Sequence, residues 1–287
     1  MCDRFSSLKK FSGEVRDASG NVIRKIKKSE LKVTEYSDEL VSDDYYYFFE
    51  YTPSRYPITI TYEWEIKNSD GLIGYPSFLP QKNYNQSVAQ ASYRILTPAD
   101  NPCRYRTINM QAEVSQQQTA DGNWLTEVKV QSLPAIQKEP YNPALSELLP
   151  RIYFTPRNFS FEGTKGSMDN WQTYGAWQYQ LLNGRDQIPP TLKEELQRRT
   201  ANCNTTYEKI AAVYQYLAST TRYVSIQLGI GGLQPIAAAD VHRTGFGDCK
   251  GLSNYMRAML TELGIHLYCN QYYKQTPVSR FCQCQPK

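Results

Sequence analysis

Long apolar runs are missing from this 287-residue chain. None approaches the ~20 residues a membrane-crossing helix needs, and Met1 to Phe5 opens without the apolar core of about 7–15 residues that marks a secretory signal. The sequence therefore predicts neither a membrane span nor a signal peptide. Histidine is scarce, with only His242 and His266 in the whole chain. Cys-x-x-Cys pairs are absent. The seven cysteines, at 2, 103, 203, 249, 269, 282 and 284, are too irregular for a disulfide framework. Cys269 with Cys282 and Cys284 comes nearest to a ligand set, yet a lone Cys-x-Cys is a weak metal signal, so no metal and no cofactor are expected. An excess of charge of one sign is also lacking: 32 basic against 28 acidic residues give a net charge of +4, too balanced to argue for nucleic acid. The one basic cluster, Arg24 to Lys28, reads as a solvated strand edge. Gly229-Ile-Gly-Gly232 lacks the full pattern of a phosphate-binding loop. Composition leaves the oligomeric state open.

What is present divides the chain. Its length exceeds the usual single-domain size, and the hydrophobic period changes along it. Residues 29–133 read as strands. In Ile58 to Lys67, Ile58, Ile60, Tyr62, Trp64 and Ile66 take one face, predicted to be core, and Thr59, Thr61, Glu63, Glu65 and Lys67 take the wet one. Trp124 to Gln131 alternates likewise, with Asp121-Gly122 before it as a hairpin signal and Glu113 to Thr119 as its partner. Asp44 to Thr52, apolar on both faces, suits an interior strand. These strands and turns predict an antiparallel β-sandwich. Residues 134–190, broken by Pro134, Pro140, Pro143, Pro150, Pro156, Pro189 and Pro190, read as an irregular connecting region in which Trp171 and Trp177 dock the two domains.

From Thr191 the period is helical. Thr205 and Glu208 form a capping box ahead of Ile210, Val213, Tyr214 and Leu217, predicting a helix to about Thr220. Arg222 to Gln227 reads as a short strand, and Cys249 to Leu263 as a second helix with Asp248 as its N-cap and Gly264 as its stop. Cys249 is the sharpest chemical feature. It follows a glycine-broken loop, Gly245-Phe-Gly-Asp-Cys, and stands at the first turn of the predicted helix, where unpaired N–H groups and the helix dipole favour a thiolate. Its periodicity puts it on the face of Leu252, Met256 and Leu263. A buried structural cysteine is the plain alternative. Glycines at 245, 247 and 251 leave room for backbone or substrate to approach.

The segment Thr221-Arg-Tyr-Val-Ser-Ile-Gln-Leu-Gly-Ile-Gly-Gly-Leu-Gln-Pro235, followed by Gly247-Asp-Cys-Lys-Gly-Leu-Ser253, resembles the bacterial transglutaminase-like domains of the papain-like cysteine superfamily over residues 190–270. The strand-rich stretch before it resembles the uncharacterised domain that precedes such cores in secreted Gram-negative proteins. The resemblance implies an α+β chain: an N-terminal segment 1–28, a β-sandwich 29–133, the connecting region 134–190, and a transglutaminase-like, papain-type core 191–287 that is C-terminally incomplete. It implies Cys249 as nucleophile of a Cys-His-Asp site acting on a protein or peptide amide, Gln227 as a candidate oxyanion donor, and a periplasmic or otherwise extracytoplasmic location.

The base is unassigned. The family places its histidine on a strand beyond the cysteine helix, with the aspartate further on. Here the only histidine after Cys249 is His266, past a helix whose far end lies roughly 21 Å away. His242, seven residues before the cysteine, reads as an exposed loop histidine. Asn270 to Lys287 shows no strand alternation and suggests a truncated terminus. The expected function is therefore a cysteine acyl-transfer or amide-hydrolysis scaffold that is inactive in this chain. The alternative is a non-enzymatic extracytoplasmic binding or scaffold protein that uses its aromatic-rich sandwich; the chain holds 23 tyrosines.

Overall fold

Alternation of polar and apolar residues over the first seventy positions produces a small antiparallel sheet. The computed structural model describes residues 2–35, 41–70, 72–110, 112–273 and 280–286. In it, β1 (Ser6–Arg16) is the central strand, flanked by β2 (Val22–Lys27) and by an edge strand, Thr59–Asn68. The opening segment is thus part of a sheet. Between these strands lie β3 (Lys32–Glu35), β4 (Val41–Ser42) and β5 (Tyr45–Phe48); β3 and β5 pair with each other, Tyr45 of β5 also bridges to Cys2, and Thr59–Asn68 is β6. Asp44 to Thr52 is therefore not an interior sandwich strand, since β5 covers only part of it and Phe48 is exposed. The β6 alternation is present, but its apolar face is not core: Ile60, Tyr62, Trp64 and Ile66 are 41, 52, 53 and 36% exposed. Opposite Tyr62 on β1 stands Gly13, which has no side chain to cover the ring.

The chain forms two compact units, Met1–Gly71 with Gln178–Lys287, and Leu72–Trp177. The second contains the sandwich. Its strands are β7 (Tyr75–Phe78), β8 (Val88–Thr97), β9 (Arg104–Ile108), β10 (Val114–Gln118), β11 (Trp124–Leu133) and, after the short α1 (Leu145–Leu148), β12 (Arg151–Thr155). They form two three-stranded sheets, β10-β11-β8 and β7-β12-β9. Ile95, Val128 and Val130 of one and Phe78, Ile152 and Phe154 of the other share one buried cluster with Cys103. The ring of Tyr93 stacks between those of Phe78 and Phe154, centroids 5.8 and 5.2 Å away. The hairpin expected around Asp121-Gly122 is present, with Val114↔Val128 and Gln118↔Trp124 in register.

The proline-rich stretch is more ordered than its prolines suggested. It holds α1, β12, the hairpin β13 (Asn158–Phe161) and β14 (Thr164–Ser167), and α2 (Trp171–Gln180). Trp171 is 78% exposed, with its ring edge-on to that of Tyr174. Trp177 is buried inside its own unit, edge-on to Phe159 at 4.8 Å, with its indole N–H donating to Thr164 Oγ1.

The helical half follows as α3 (Pro190–Thr200), α4 (Thr206–Thr220), β15 (Arg222–Tyr223), β16 (Ile226–Gln227), α5 (Ala238–Thr244), β17 (Phe246–Gly247), α6 (Cys249–Glu262) and the hairpin β18 (Leu267–Tyr273) with β19 (Arg280–Pro286). The Thr205–Glu208 capping box is formed at the head of α4. Leu192, Leu196, Val213, Tyr216, Val241, Tyr255, Met259 and Leu260 make the core that joins these helices. The terminal hairpin corrects the expectation of a tail without strands: Cys269 pairs across it with Cys284 and Gln271 with Cys282. No described helix is long and apolar enough to cross a membrane.

Candidate functional site

Cys249 is the first residue of α6, and the sequence around it accounts for how it is held there. Gly245 ends α5 in the left-handed conformation at φ 68°, which only a residue without Cβ adopts freely, and its N–H caps the Val241 carbonyl. The turn delivers Phe246 and Gly247 alongside Arg222 and Tyr223 as a short parallel pair. Arg222 donates its N–H to the Gly245 carbonyl at 3.0 Å and Val224 to that of Gly247 at 3.1 Å. The strand that leads to Gln227 is thereby fastened to the cysteine loop.

Asp248 then starts the helix. Its Oδ1 accepts the Gly251 N–H at 2.8 Å, and its carbonyl accepts that of Leu252 at 2.9 Å. Its Oδ2 is paired with the Lys250 ammonium, and the two side chains are only 4 and 15% exposed. Each carboxylate oxygen thus has a partner, and among the described residues neither partner is a histidine. Among the described residues the N–H groups of Cys249 and Lys250 have no protein acceptor, as expected for the first turn of a helix. A Cβ on Gly251 would lie 3.3 Å from Asp248 Oδ1 and 3.3 Å from Ile236 Cβ, a tight fit on both sides.

The buried face of α6 runs through Gly251, Asn254, Tyr255, Ala258 and Met259. Cys249 lies at the border of that face, half-buried, neither sealed in the core nor fully in water. Cys2 and Cys103 are buried, and burial pushes the Cys103 thiol up to about 11.

The other sequence candidates stand on separate elements. Gln227 is exposed on β16 and pairs in parallel with Ser42 of β4. His242 is not an exposed loop residue: it lies half-buried on α5, with Nδ1 3.0 Å from the Tyr255 hydroxyl. Tyr255 is fully buried, its phenol pushed up chiefly by burial and then by Tyr216, and the Arg199 guanidinium sits 4.9 Å above the Tyr216 ring. His242 is thus the outer end of a polar chain through the helical core. His266 is exposed just beyond the far end of α6. No hydrogen bond joins Cys249 to Gln227, His242 or His266 among the described residues, nor do three His, Cys, Asp or Glu side chains gather there as a metal site. The side chains of Cys282 and Cys284 lie outside the described set. Sequence reading passed over Lys250 and Tyr255; the position of Lys250 beside an N-cap aspartate was the available signal.

Two family models match parts of the chain. Residues 194–276 match the transglutaminase-like superfamily. Residues 3–137 match a domain of unknown function of solved structure, DUF3857. No curated protein matches the chain. A crystal structure of a candidate protease from Parabacteroides distasonis is similar at TM-score 0.65 and 16% identity over 98% of this chain; the chain spans 54% of that protein's length. At that identity the likeness speaks for the fold alone. A candidate cysteine protease from Cytophaga hutchinsonii aligns at TM-score 0.30 and 13% identity, over 73% of this chain and 66% of that one, too distantly to bear on the fold.

Proposed function

Taking residues 194–276 as a core of the transglutaminase-like superfamily, we propose that Cys249 is the nucleophile of a cysteine acyl-transfer or amide-hydrolysis scaffold acting on proteins or peptides. One observation carries this: the thiol stands half-open at the first residue of α6, beside backbone N–H groups that have no acceptor among the described residues. In the reaction such a site serves, the thiolate attacks an amide carbonyl and the oxyanion is held by the Cys249 N–H, with the Gln227 side chain as second donor. The C–N bond breaks, and the base that took the thiol proton gives it to the departing amine, leaving a thioester. Water, the default acceptor, then releases the acid and restores the thiol; an amine in its place gives a new amide.

The missing part is the base. His242 is committed to Tyr255 and His266 stands past the other end of a 14-residue helix, about 20 Å long. We therefore expect negligible amide turnover by this chain, and place it, by its resemblance, outside the cytoplasm, with the working core beginning near residue 191. In a competition with a thiol-reactive probe at neutral pH, read by mass spectrometry, Cys249 should be modified faster than every other cysteine, with Cys103 slowest because burial keeps it protonated. Equal labelling throughout would sink the nucleophile assignment, and turnover abolished by Cys249→Ala would show that a base operates.

A second, non-enzymatic role as a binding or scaffold protein is favoured by a specific feature, the contiguous exposed row Ile60, Tyr62, Trp64 and Ile66 on β6.

A further inference from the structure

Asn183-Gly184 is the one Asn-Gly pair in the chain, and it stands in a turn just past the end of α2. Arg185 donates its N–H to the Leu182 carbonyl at 3.0 Å, so Asn183 and Gly184 hold the two central positions of that turn. Gly184 lies in the left-handed region at φ 70°. Both residues are exposed. Among the described residues the Asn183 side-chain amide has no partner and the Gly184 N–H has no acceptor. A Cβ added to Gly184 would meet nothing within 4 Å, so the surroundings are open. Rotation about the Asn183 bonds can therefore bring its carboxamide carbon to the Gly184 nitrogen, with no hydrogen bond to break and no side chain at position 184 in the way.

We propose that Asn183 is a site of spontaneous covalent modification, at which the side-chain amide converts through a cyclic imide to aspartate and isoaspartate. Asparagine is among the thermolabile residues. The Gly184 nitrogen gives up its proton to hydroxide and attacks the Asn183 Cγ. The bond from Cγ to the side-chain nitrogen breaks, and that nitrogen leaves as ammonia with a proton taken from water. Water then opens the imide. Attack at Cγ gives aspartate on an unchanged main chain; attack at the backbone carbonyl carbon gives isoaspartate, whose main chain runs through Cβ and Cγ and is longer by one atom. The two products differ in consequence because of Arg185. Its carbonyl accepts the Ala238 N–H at 2.8 Å and Asn254 Nδ2 at 2.7 Å, and its guanidinium donates to Gln234 Oε1 at 2.7 Å. Ala238 opens α5, and Asn254 is a buried residue of α6, so one carbonyl ties together the two helices on either side of the cysteine turn. An extra main-chain atom just upstream displaces that carbonyl and strands a buried amide without its acceptor, a costly state. Aspartate leaves the tie in place.

This inference does not depend on the acyl-transfer reading. It is tested by holding the full chain at physiological temperature in buffers of rising pH for several weeks, with peptide mapping by mass spectrometry and an isoaspartate-specific methyltransferase assay. Position 183 should show the mass change of an amide becoming an acid before any other asparagine, faster at higher pH, with isoaspartate among the products. The aged protein should then melt at a lower temperature than fresh protein. Asn183→Gln, whose longer side chain closes the ring far less readily, should keep its midpoint over the same period, and fresh Asn183→Asp should melt with the fresh wild type. If Asn183 keeps its amide in the folded chain while a peptide of residues 180–187 converts, the fold protects it and the proposal fails. Conversion to isoaspartate with no loss of midpoint relative to Asn183→Gln would overturn the coupling through Arg185.

Discussion

Asp248 performs three tasks at one position. It caps α6 through Oδ1, neutralises the nearly buried Lys250 through Oδ2, and supplies the carbonyl for the Leu252 N–H. The first two are separable. Asp248→Asn keeps an oxygen acceptor for the cap but strands the Lys250 ammonium, which should cost roughly 1–3 kcal/mol; Asp248→Ala also removes the cap, worth about 1 kcal/mol more. Urea unfolding should rank the variants in that order, and Lys250→Met should recover most of the loss in the Asn background. If Asp248→Asn unfolds at the wild-type midpoint, the ion pair contributes nothing to holding the cysteine turn. The pair bears on the proposed function because it lies in the same helical turn as Cys249. At this scale the sequence was informative: cap, cysteine and glycines lie within seven positions of one another, and local rules govern them.

At the scale of elements, legibility depended on whether the decisive contacts were near in sequence. Helices α4 and α6 were readable from their caps and apolar spacing. The seven-residue α5 was not, because it spans too few turns to show a period; its clearest signal was Gly245, a residue suited to a left-handed helix end. Strand β12 was hidden by Pro150 and Pro156, which stand at its two ends and do not interrupt it. The β6 alternation told that its two faces differ, but not that the apolar one would stay exposed. Helix α6 also gives a test in which two effects oppose. Ala is favoured over Gly in a helix by up to ~1 kcal/mol, whereas a Cβ at Gly251 meets Asp248 Oδ1 and Ile236 Cβ, each at 3.3 Å, in a packed region. Overpacking should win. Gly251→Ala is expected to lose roughly 1–2 kcal/mol net, seen as a lower thermal midpoint, and a raised midpoint would mean that Ile236 gives way without cost.

For the whole molecule, the sequence set Cys249 at the head of a helix but did not show what surrounds it. Where Gln227, His242 and Tyr255 lie depends on how α5, β16 and α6 meet, and no local pattern encodes that. The sandwich was likewise foreseen in kind but not in extent. The second sheet needs β12, whose Ile152 and Phe154 complete the cluster begun by Phe78, Ile95 and Val128, and a reading that closes the strand region at residue 133 cannot include it. The consequence is testable. All members of that cluster, and the Trp177–Phe159 contact, lie within Leu72–Trp177, so the unit holds a complete apolar core of its own. Expressed alone, residues 72–177 should fold and unfold in urea in one cooperative transition, followed by the fluorescence of buried Trp177. Phe154→Ala, which empties a fully buried ring site, should lower its stability by about 3–5 kcal/mol. That is a large share of the roughly 5–15 kcal/mol a domain commands, enough to leave the isolated unit largely unfolded if it sits at the lower end. A broad, non-cooperative transition in the parent fragment would show instead that this core is stable only within the longer chain.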